Sequence, residues 1–434
     1  MPFALLACQL LLALALIPPW QHPDESTHVA RIELQRNRIL LLDESPDPAR
    51  EGEILRSMAR YDWWDHRDFR SEAPAVIPED FFSAGNGVAV PAQTFARPTA
   101  YTLIAGRLLS WLPRLAIVED LYVLRAMSVV FGMLTLWIAW LGARECLGTL
   151  GGATVTALLA LHPQFAVVAT AAAADALVNL LGACVWWQTT LAIRRTHSLL
   201  PLAGVWCAAI AAASADRMGV PLLAFALVVS VVVIARRTEG FTRPTAAVSV
   251  FLALVAAAGA LGTAGETYGL TYVFTQDWWI ADGARSWSFF GRFTSFVHQS
   301  WWFSLGWVRY APPWWWVAVA TVLTAIAAAG TGRLLFDASA LDARARALIA
   351  LAAVGLVLQA SAVYWTYFRL EHGAQGKSLF PVLVPCLVLL WRGIEAWVPA
   401  PRRVHAAAAL VLLLALLDAA VWGLVAIPAY YASL

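Results

Sequence analysis

The chain alternates long apolar runs with short polar breaks. Eleven runs stand out: 3–19, 121–143, 149–170, 175–193, 199–213, 219–235, 245–264, 313–331, 347–366, 378–396 and 404–426. Ten of them hold 17 residues or more, enough for a helix to cross a bilayer. The run 199–213 is the shortest. The pattern predicts an all-α fold, a polytopic transmembrane helical bundle of about eleven spans forming one domain over 1–434. Two segments break it: a polar one over 20–120 and a Trp-rich one over 265–312. Within the first, 98–113 is apolar but too short to span and carries Arg107 in its middle. It is expected to lie as a helix in the membrane interface.

Composition agrees. Hydrophobic residues make up 60% and charged residues 13%, with a mean hydropathy of +0.67. A soluble domain is about a quarter charged. A soluble enzyme, a disordered chain and a disulfide scaffold are thereby excluded. A net charge of +2 gives no case for nucleic acid as a partner. The five Cys lie in or beside apolar runs with no C-x-x-C spacing, so they support neither a metal site nor a disulfide frame.

The placement of charge is more informative. Of the 28 acids, 16 fall within 20–120. Arg194 and Arg195, then Arg236, Arg237 and Arg243, then Arg333, Arg344 and Arg346, then Arg392, Arg402 and Arg403 fall in breaks on one side of the membrane. By the positive-inside rule that side is cytoplasmic. Segments 20–120, 265–312 and 367–377 then face outward together. This alternation requires 3–19 to be a retained span. The rival reading, a cleaved signal peptide, lacks a basic start and a clear cleavage site. The same lack of basic residues leaves room for a start further upstream. Trp278, Trp279, Trp287, Trp301, Trp302 and Trp307, followed by Trp314, Trp315 and Trp316, read mainly as an aromatic belt at the outer headgroups. Their functional alternative is a lining for a lipid tail or a sugar face.

Four polar sites stand out against this background. Asp24, His28, Arg31 and Gln35 follow helical spacing and share one polar face, while Val29, Ile32, Ile39 and Leu40 form an apolar stripe. A carboxylate at position 24, beside the first span and next to His and Arg, has the setting of a general base; its structural alternative is a helix cap. Asp175 follows ten residues of almost pure Ala and Val. Acids at membrane depth are costly and usually face a cavity, though a cap in a tight turn would also account for it. The stretch Tyr367 to Pro381 packs Arg369, Glu371, His372, Gln375 and Lys377 with two glycines. Its donors suit an anionic phosphate, and its glycines would let backbone approach a ligand. Lys377 is the single Lys of the chain. Asp216-Arg217 is the fourth site, with Arg217 open to a phosphate and a plain surface ion pair as its alternative.

These residues resemble the GT-C superfamily of membrane glycosyltransferases. Within it the chain is similar to a poorly characterised bacterial family with a Pro-Asp-Glu-x-x-His start, matched by Pro23, Asp24, Glu25 and His28. A later pattern is matched by Leu161, Pro163, Gln164, Phe165, Asp175, Ala176, Leu177 and Asn179. A Gln-Gly-Arg-Tyr-Leu-x-Pro pattern is matched by Gln375, Gly376, Leu379 and Pro381, with Lys377 and Ser378 in place of Arg and Tyr. Lys keeps the charge and loses the bidentate fork. The helix from Leu121, with Arg125 at its outer end, resembles the second span of that superfamily.

The resemblance implies a GT-C-like fold whose outward loop carries interfacial helices. It implies inverting transfer of a sugar from a polyprenyl-phosphate donor to a hydroxyl of a glycan, lipid or protein acceptor, on the outer face of a bacterial inner membrane. Asp24, Glu25 and Asp175 would be the catalytic acids. His28, Arg31, Asn179, Arg217, Arg369, His372, Gln375 and Lys377 would bind substrate. A divalent cation, Mg or Mn, is the one cofactor it admits, and none is expected to be required. Two other classes compete. A transporter or flippase for lipid-linked or small anionic substrates needs ionisable residues deep in its spans, of which Asp418 is the main one here. A non-catalytic scaffold would dock partners on acids such as Asp43, Glu44 and Asp47.

Overall fold

In a computed structural model the described residues are 2–36, 48–66, 99–195, 198–236, 287–306, 309–337, 341–370 and 375–431, with the isolated positions 255 and 258. The expected span 245–264 and the acids Asp43, Glu44 and Asp47 lie outside this set. Among the described residues the fold is helical throughout, apart from one isolated bridge between Leu305 and Tyr310. Seven helical stretches are long and apolar enough to cross a membrane: Ile117–Ala160, Asp175–Arg194, Arg217–Ala235, Trp314–Phe336, Ala343–Trp365, Gly376–Glu395 and Ala400–Tyr431. The protein is an all-helical integral membrane protein. Pro2–Leu16 and Leu200–Ala215 are apolar helices of shorter length.

In chain order, α1 is Pro2–Leu16, α2 Glu25–Arg36, α3 Pro48–Arg60, α4 Ala100–Ser110 and α5 Ile117–Ala160. Then come α6, Pro163–Ala169; α7, Asp175–Arg194; α8, Leu200–Ala215; and α9, Pro221–Ala235. The second half holds α10, Trp287–Trp302; α11, Trp314–Phe336; α12, Ala343–Leu370; α13, Leu383–Glu395; α14, Arg403–Val421; and α15, Ile427–Tyr431.

The 44 residues of α5 are not one rod. Gly148 has φ 76° and ψ −175°, a conformation open to glycine. A Cβ placed on Gly152 would come 2.9 Å from the Cα of Arg144, eight residues earlier. In a straight helix those residues would be about 12 Å apart. The chain therefore reverses at Gly148, between the expected spans 121–143 and 149–170. The second of these is shorter than expected. It ends at Ala160, and Pro163 restarts the chain as α6, with His162 in extended backbone (φ −82°, ψ 104°) because a pre-proline residue avoids helix. The 265–312 segment also differs from a plain loop, since 287–302 forms α10.

Helices α7 and the stretch Gly376–Glu395 are the most enclosed of the seven, each with 72% of its apolar window buried. Small residues let their neighbours close in, as in other membrane bundles. A Cβ on Gly182 of α7 would fall 2.0 Å from the carbonyl oxygen of Pro381. One on Gly330 of α11 would fall 1.9 Å from that of Gly393. The aromatic belt holds for Trp314 and Trp315, which are exposed. It fails for Trp302 and Trp316, which are buried because their indoles pack inward on each other. Trp302 also stacks on His162.

Among the described residues three short helices, α2, α3 and α4, lie between α1 and α5 in the chain. A buried ionic network fastens them. Arg36 donates to Asp120 at 2.7 Å and to the carbonyl of Pro113 at 2.9 Å. Arg50 pairs with Asp120, with Glu33 at 3.1 Å and with Glu53 at 2.6 Å. The free oxygen of Glu53 accepts from the N–H of Ile117, at the start of α5. The segment expected as an interfacial helix forms the helix α4, opened by a reciprocal Thr99–Thr102 capping box.

Candidate active site

The end of α1 and the start of α2 are tied to the bundle through Arg125 of α5. Its Nη1 and Nη2 donate to the carbonyls of Ile17 and Pro18, both at 2.9 Å, satisfying acceptors that the end of α1 leaves open. Its Nε and Nη2 also grip both oxygens of Glu25 at 2.8 Å. Glu25 further accepts from the N–H groups of Trp20 and Ala172, each at 3.1 Å. Both side chains of the pair are fully buried. Every oxygen of Glu25 is thus committed. The expectation of Glu25 as a catalytic acid is corrected to a structural one, because no face of its carboxylate is open to a substrate.

Its neighbour is different. Asp24 has φ 63°, a left-handed conformation that costs a non-glycine residue energy and recurs at functional sites. Its side chain is 45% exposed. The Lys377 ammonium stands 3.8 Å from Asp24 Oδ2 and 3.0 Å from Asp175 Oδ2. Asp175 is the first residue of α7, and its carboxylate accepts from the Lys. Residues some 350 positions apart in the sequence meet at one point.

Lys377 is held there by its backbone. It lies in a 3-10 turn, Gly376–Val382. The N–H of Gly376 donates to Ser300 Oγ of α10 at 2.8 Å. A Cβ on Gly376 would sit 2.0 Å from the Trp301 nitrogen. Gly376 thus serves close packing on α10, not the approach to a ligand expected of it. Gln359 of α12, fully buried, donates to the carbonyls of Ser378 at 2.8 Å and of Met218 at 3.0 Å. One side chain therefore holds the Lys377 turn beside the Arg217 turn.

The second turn adds Asp216 and Arg217. Asp216 Oδ1 accepts from the N–H of Met218 at 2.9 Å. Burial pushes the Asp216 carboxyl above its usual range, and nearby Asp175 adds to the rise, while Arg217 and Lys377 oppose it. Arg31 lies in the field of Asp216 and Asp24, which offset the cost of its burial. His28 is held down to about 4, first by burial, then by Arg31, against the pull of Asp24 and Asp175. Burial also holds His22 well below its usual value, with Arg125 and Lys377 adding to it. One locale thus gathers Asp24, Asp175 and Asp216 with Lys377, Arg31, Arg217 and a neutral His28.

Around it stand buried polar atoms with no hydrogen-bond partner. They include both ring nitrogens of His22 and Asn179 Nδ2. Asn179 lies one helical turn after Asp175 on α7. Arg369 belongs to α12, and its side chain is not described; His372 lies outside the described residues. Gln375 is placed at the mouth of the Lys377 turn, where its carbonyl accepts from the N–H of Ser378. Sequence reading passed over Gln359 and Tyr101, while Asp216 was singled out with Arg217 as the fourth polar site. Gln359 carried a signal, being a lone amide in an apolar run.

The opposite end of the bundle is basic. Asp175 begins α7 and Arg194 ends it, about 28 Å away. There Arg194 pairs with Glu145, Arg403 with Glu395, and Arg236 reaches the Ala343 carbonyl. Asp342 feels Arg194 as well. The Asp–Lys locale and the Arg-bearing turns thus occupy different ends.

No family model matches the chain, and no curated protein matches it. Among solved structures it is similar to the crystal structure of the Archaeoglobus fulgidus oligosaccharyltransferase in complex with zinc and sulfate, at 11% identity and a TM-score of 0.46. The likeness covers 95% of this chain and 52% of that one, so the chain spans about half the length of that protein.

Proposed function

We propose that the protein is a GT-C-type glycosyltransferase, moving a sugar from a polyprenyl-phosphate donor to an acceptor hydroxyl at the outer face of a bacterial inner membrane, with inversion. The observation that carries this reading is the convergence of Asp24, Asp175 and Lys377, with Asp216, Arg31 and Arg217 beside them. Paired opposite charges at the end of an apolar bundle suit a reaction between a polar head and a lipid carrier.

In this reading Asp24 is the general base, being the carboxylate with an exposed face. It takes the proton of the acceptor hydroxyl as that oxygen bonds to the anomeric carbon. The bond from that carbon to the phosphate oxygen breaks, and polyprenyl phosphate leaves with the electron pair. Lys377, Arg31 and Arg217 stabilise the charge that gathers on the phosphate. Asp175 keeps the Lys377 ammonium in place, and Glu25 with Arg125 fixes the backbone on which Asp24 is carried. Asn179, His28, Gln375, Arg369 and His372 are proposed to contact the substrates. The acceptor is a glycan, a lipid or a protein.

Among the described residues no group of three or more His, Cys, Asp or Glu is placed to hold a divalent cation. Asp24 and Asp175 already turn on a protein ammonium. No step is assigned to a metal. The transporter reading finds little in Asp418, whose two oxygens accept from Trp422 Nε1 and from Gln9. The test is reconstitution in proteoliposomes with a panel of polyprenyl-phosphate sugars. Release of polyprenyl phosphate with a new glycosidic product is expected. Movement of the sugar lipid across the bilayer with no bond cleaved would overturn the proposal.

A further inference from the structure

The turn that carries Asp24 also carries His22. It holds two non-glycine residues in left-handed backbone, Trp20 with φ 71° and Asp24 with φ 63°. Three contacts fix it. The Trp20 indole donates to Ser57 Oγ of α3 at 2.5 Å, Gln21 donates to the carbonyl of Tyr61 at 2.9 Å, and Glu25 is gripped by Arg125. Within this fixed turn the His22 imidazole is 1% exposed, yet neither ring nitrogen has a hydrogen-bond partner. Leaving a buried polar group unpaired is costly, and an apolar ring would fill the same place without that cost.

The surroundings narrow what the imidazole suits. Burial and the charges of Arg125 and Lys377 hold the ring neutral. A neutral imidazole has one donor and one acceptor. Its complement is a hydroxyl, which both accepts and donates. Phosphate only accepts, and it has cations of its own at Lys377, Arg31 and Arg217. Hydrocarbon offers nothing to either nitrogen. His22 lies in the field of Lys377, and its Cα is at most about 7 Å from that of Asp24. A sugar with its phosphate on Lys377 and its anomeric carbon facing a hydroxyl held on Asp24 would carry its ring hydroxyls close to this turn. Asn179 Nδ2, buried and unpartnered one turn past Asp175, adds a second open donor to the locale.

We propose that His22 binds a ring hydroxyl of the donor sugar and so helps to set which sugar the site accepts. The nature of the donor rests on the transferase reading above. A site built to bind a hydroxyl rejects a sugar that lacks it, because its buried polar atoms are then left unpaired. A structural water is the competing occupant, and it makes the opposite prediction for stability.

The test is competition binding to the full chain in detergent. The probes are bare polyprenyl phosphate, polyprenyl-phosphate glucose, mannose and galactose, and their monodeoxy analogues. His22→Phe is expected to reduce the preference for the best hexose form over bare polyprenyl phosphate about tenfold. It should also bind that hexose and one of its monodeoxy analogues equally, where the parent separates them. His22→Gln keeps a donor and an acceptor and should restore part of the preference. Lys377→Met should weaken the bare and the sugar-bearing lipid alike. Without lipid, His22→Phe is expected to unfold at the parent temperature or above, since it breaks no hydrogen bond of the chain. A lower unfolding temperature with the hexose preference intact would hand the imidazole to a water and overturn the proposal. So would an equal loss of affinity for every analogue, or a parent with no preference for any hexose form. Transfer assays on the same preparations separate the two claims. Hexose-selective binding that depends on His22, with no glycosidic product from any donor, refutes the transferase and leaves the sugar contact. Transfer by His22→Phe with unchanged sugar selectivity refutes the contact alone.

Discussion

Two ionic clusters, one drawn from the first third of the chain and the other from its start, middle and last part, differ in how their charges are used. In one, Arg36 and Arg50 meet Asp120, Glu33 and Glu53 at distances near 3 Å or below, nearly all out of solvent. The fully buried Glu25–Arg125 pair belongs with it. In the other, Lys377 stands between two carboxylates, 3.0 Å from one and 3.8 Å from the other, and the farther one is 45% exposed on strained backbone. A buried, fully coordinated charge fixes geometry, because breaking it strands its partner away from water. A half-coordinated, reachable charge is able to exchange partners with a substrate. Burial, rather than the mere presence of paired charges, separates the two clusters here.

The largest expected effect falls on the closed side. Arg125→Met leaves Glu25 buried and alone, and is expected to cost about 3–5 kcal/mol. Thermal unfolding in detergent measures it, and a variant as stable as the parent would break the comparison. Next is Lys377→Met. It should slow transfer about 10²–10³-fold through loss of a cation at the leaving group, while unfolding temperature changes little because the ion pair is partly exposed. Loss of the fold instead of the rate would move Lys377 to the framework. Asp120→Asn keeps the volume but removes the charge facing Arg36 and Arg50, and is expected to destabilise by about 1–3 kcal/mol with the transfer rate per folded molecule preserved.

The smallest effect concerns pH. His28 titrates near 4 in the fold, below its ordinary value of about 6.5. Between those values the unfolded chain binds more protons, so stability rises with pH there. His28 therefore imposes no penalty above about pH 6.5, a growing one as pH falls towards 4, and a constant one below. His28→Gln should flatten that part of the curve of unfolding temperature against pH. An unchanged slope would place its origin elsewhere.

Much of this was legible in the chain because charge is scarce. Asp24, Asp175 and Lys377 stand out in apolar surroundings, and the structure brings all three together. Seven long apolar helices among the described residues fall on runs that length alone picks out. What sequence could not distinguish was Asp24 from Glu25. They are adjacent acids at one helix start, and only the position of Arg125, a hundred residues on, decides which is consumed by an ion pair. Asp216 stood out with Arg217, but its closeness to Asp175 and Lys377 was not legible, because they come from other elements. Gly376 looked like a ligand-binding glycine and instead serves close packing, a distinction set by a helix 75 residues earlier. The break at Pro163 was present in the sequence but masked by the continuous hydrophobicity around it.

The central claim, that the open cluster performs transfer, meets its most direct test in Asp24→Asn. The substitution keeps shape and removes the base. Sugar transfer per folded molecule from a polyprenyl-phosphate donor is predicted to fall about 10²–10⁴-fold, with the unfolding temperature unchanged because the side chain is half exposed. Transfer at the parent rate in that variant would contradict the account.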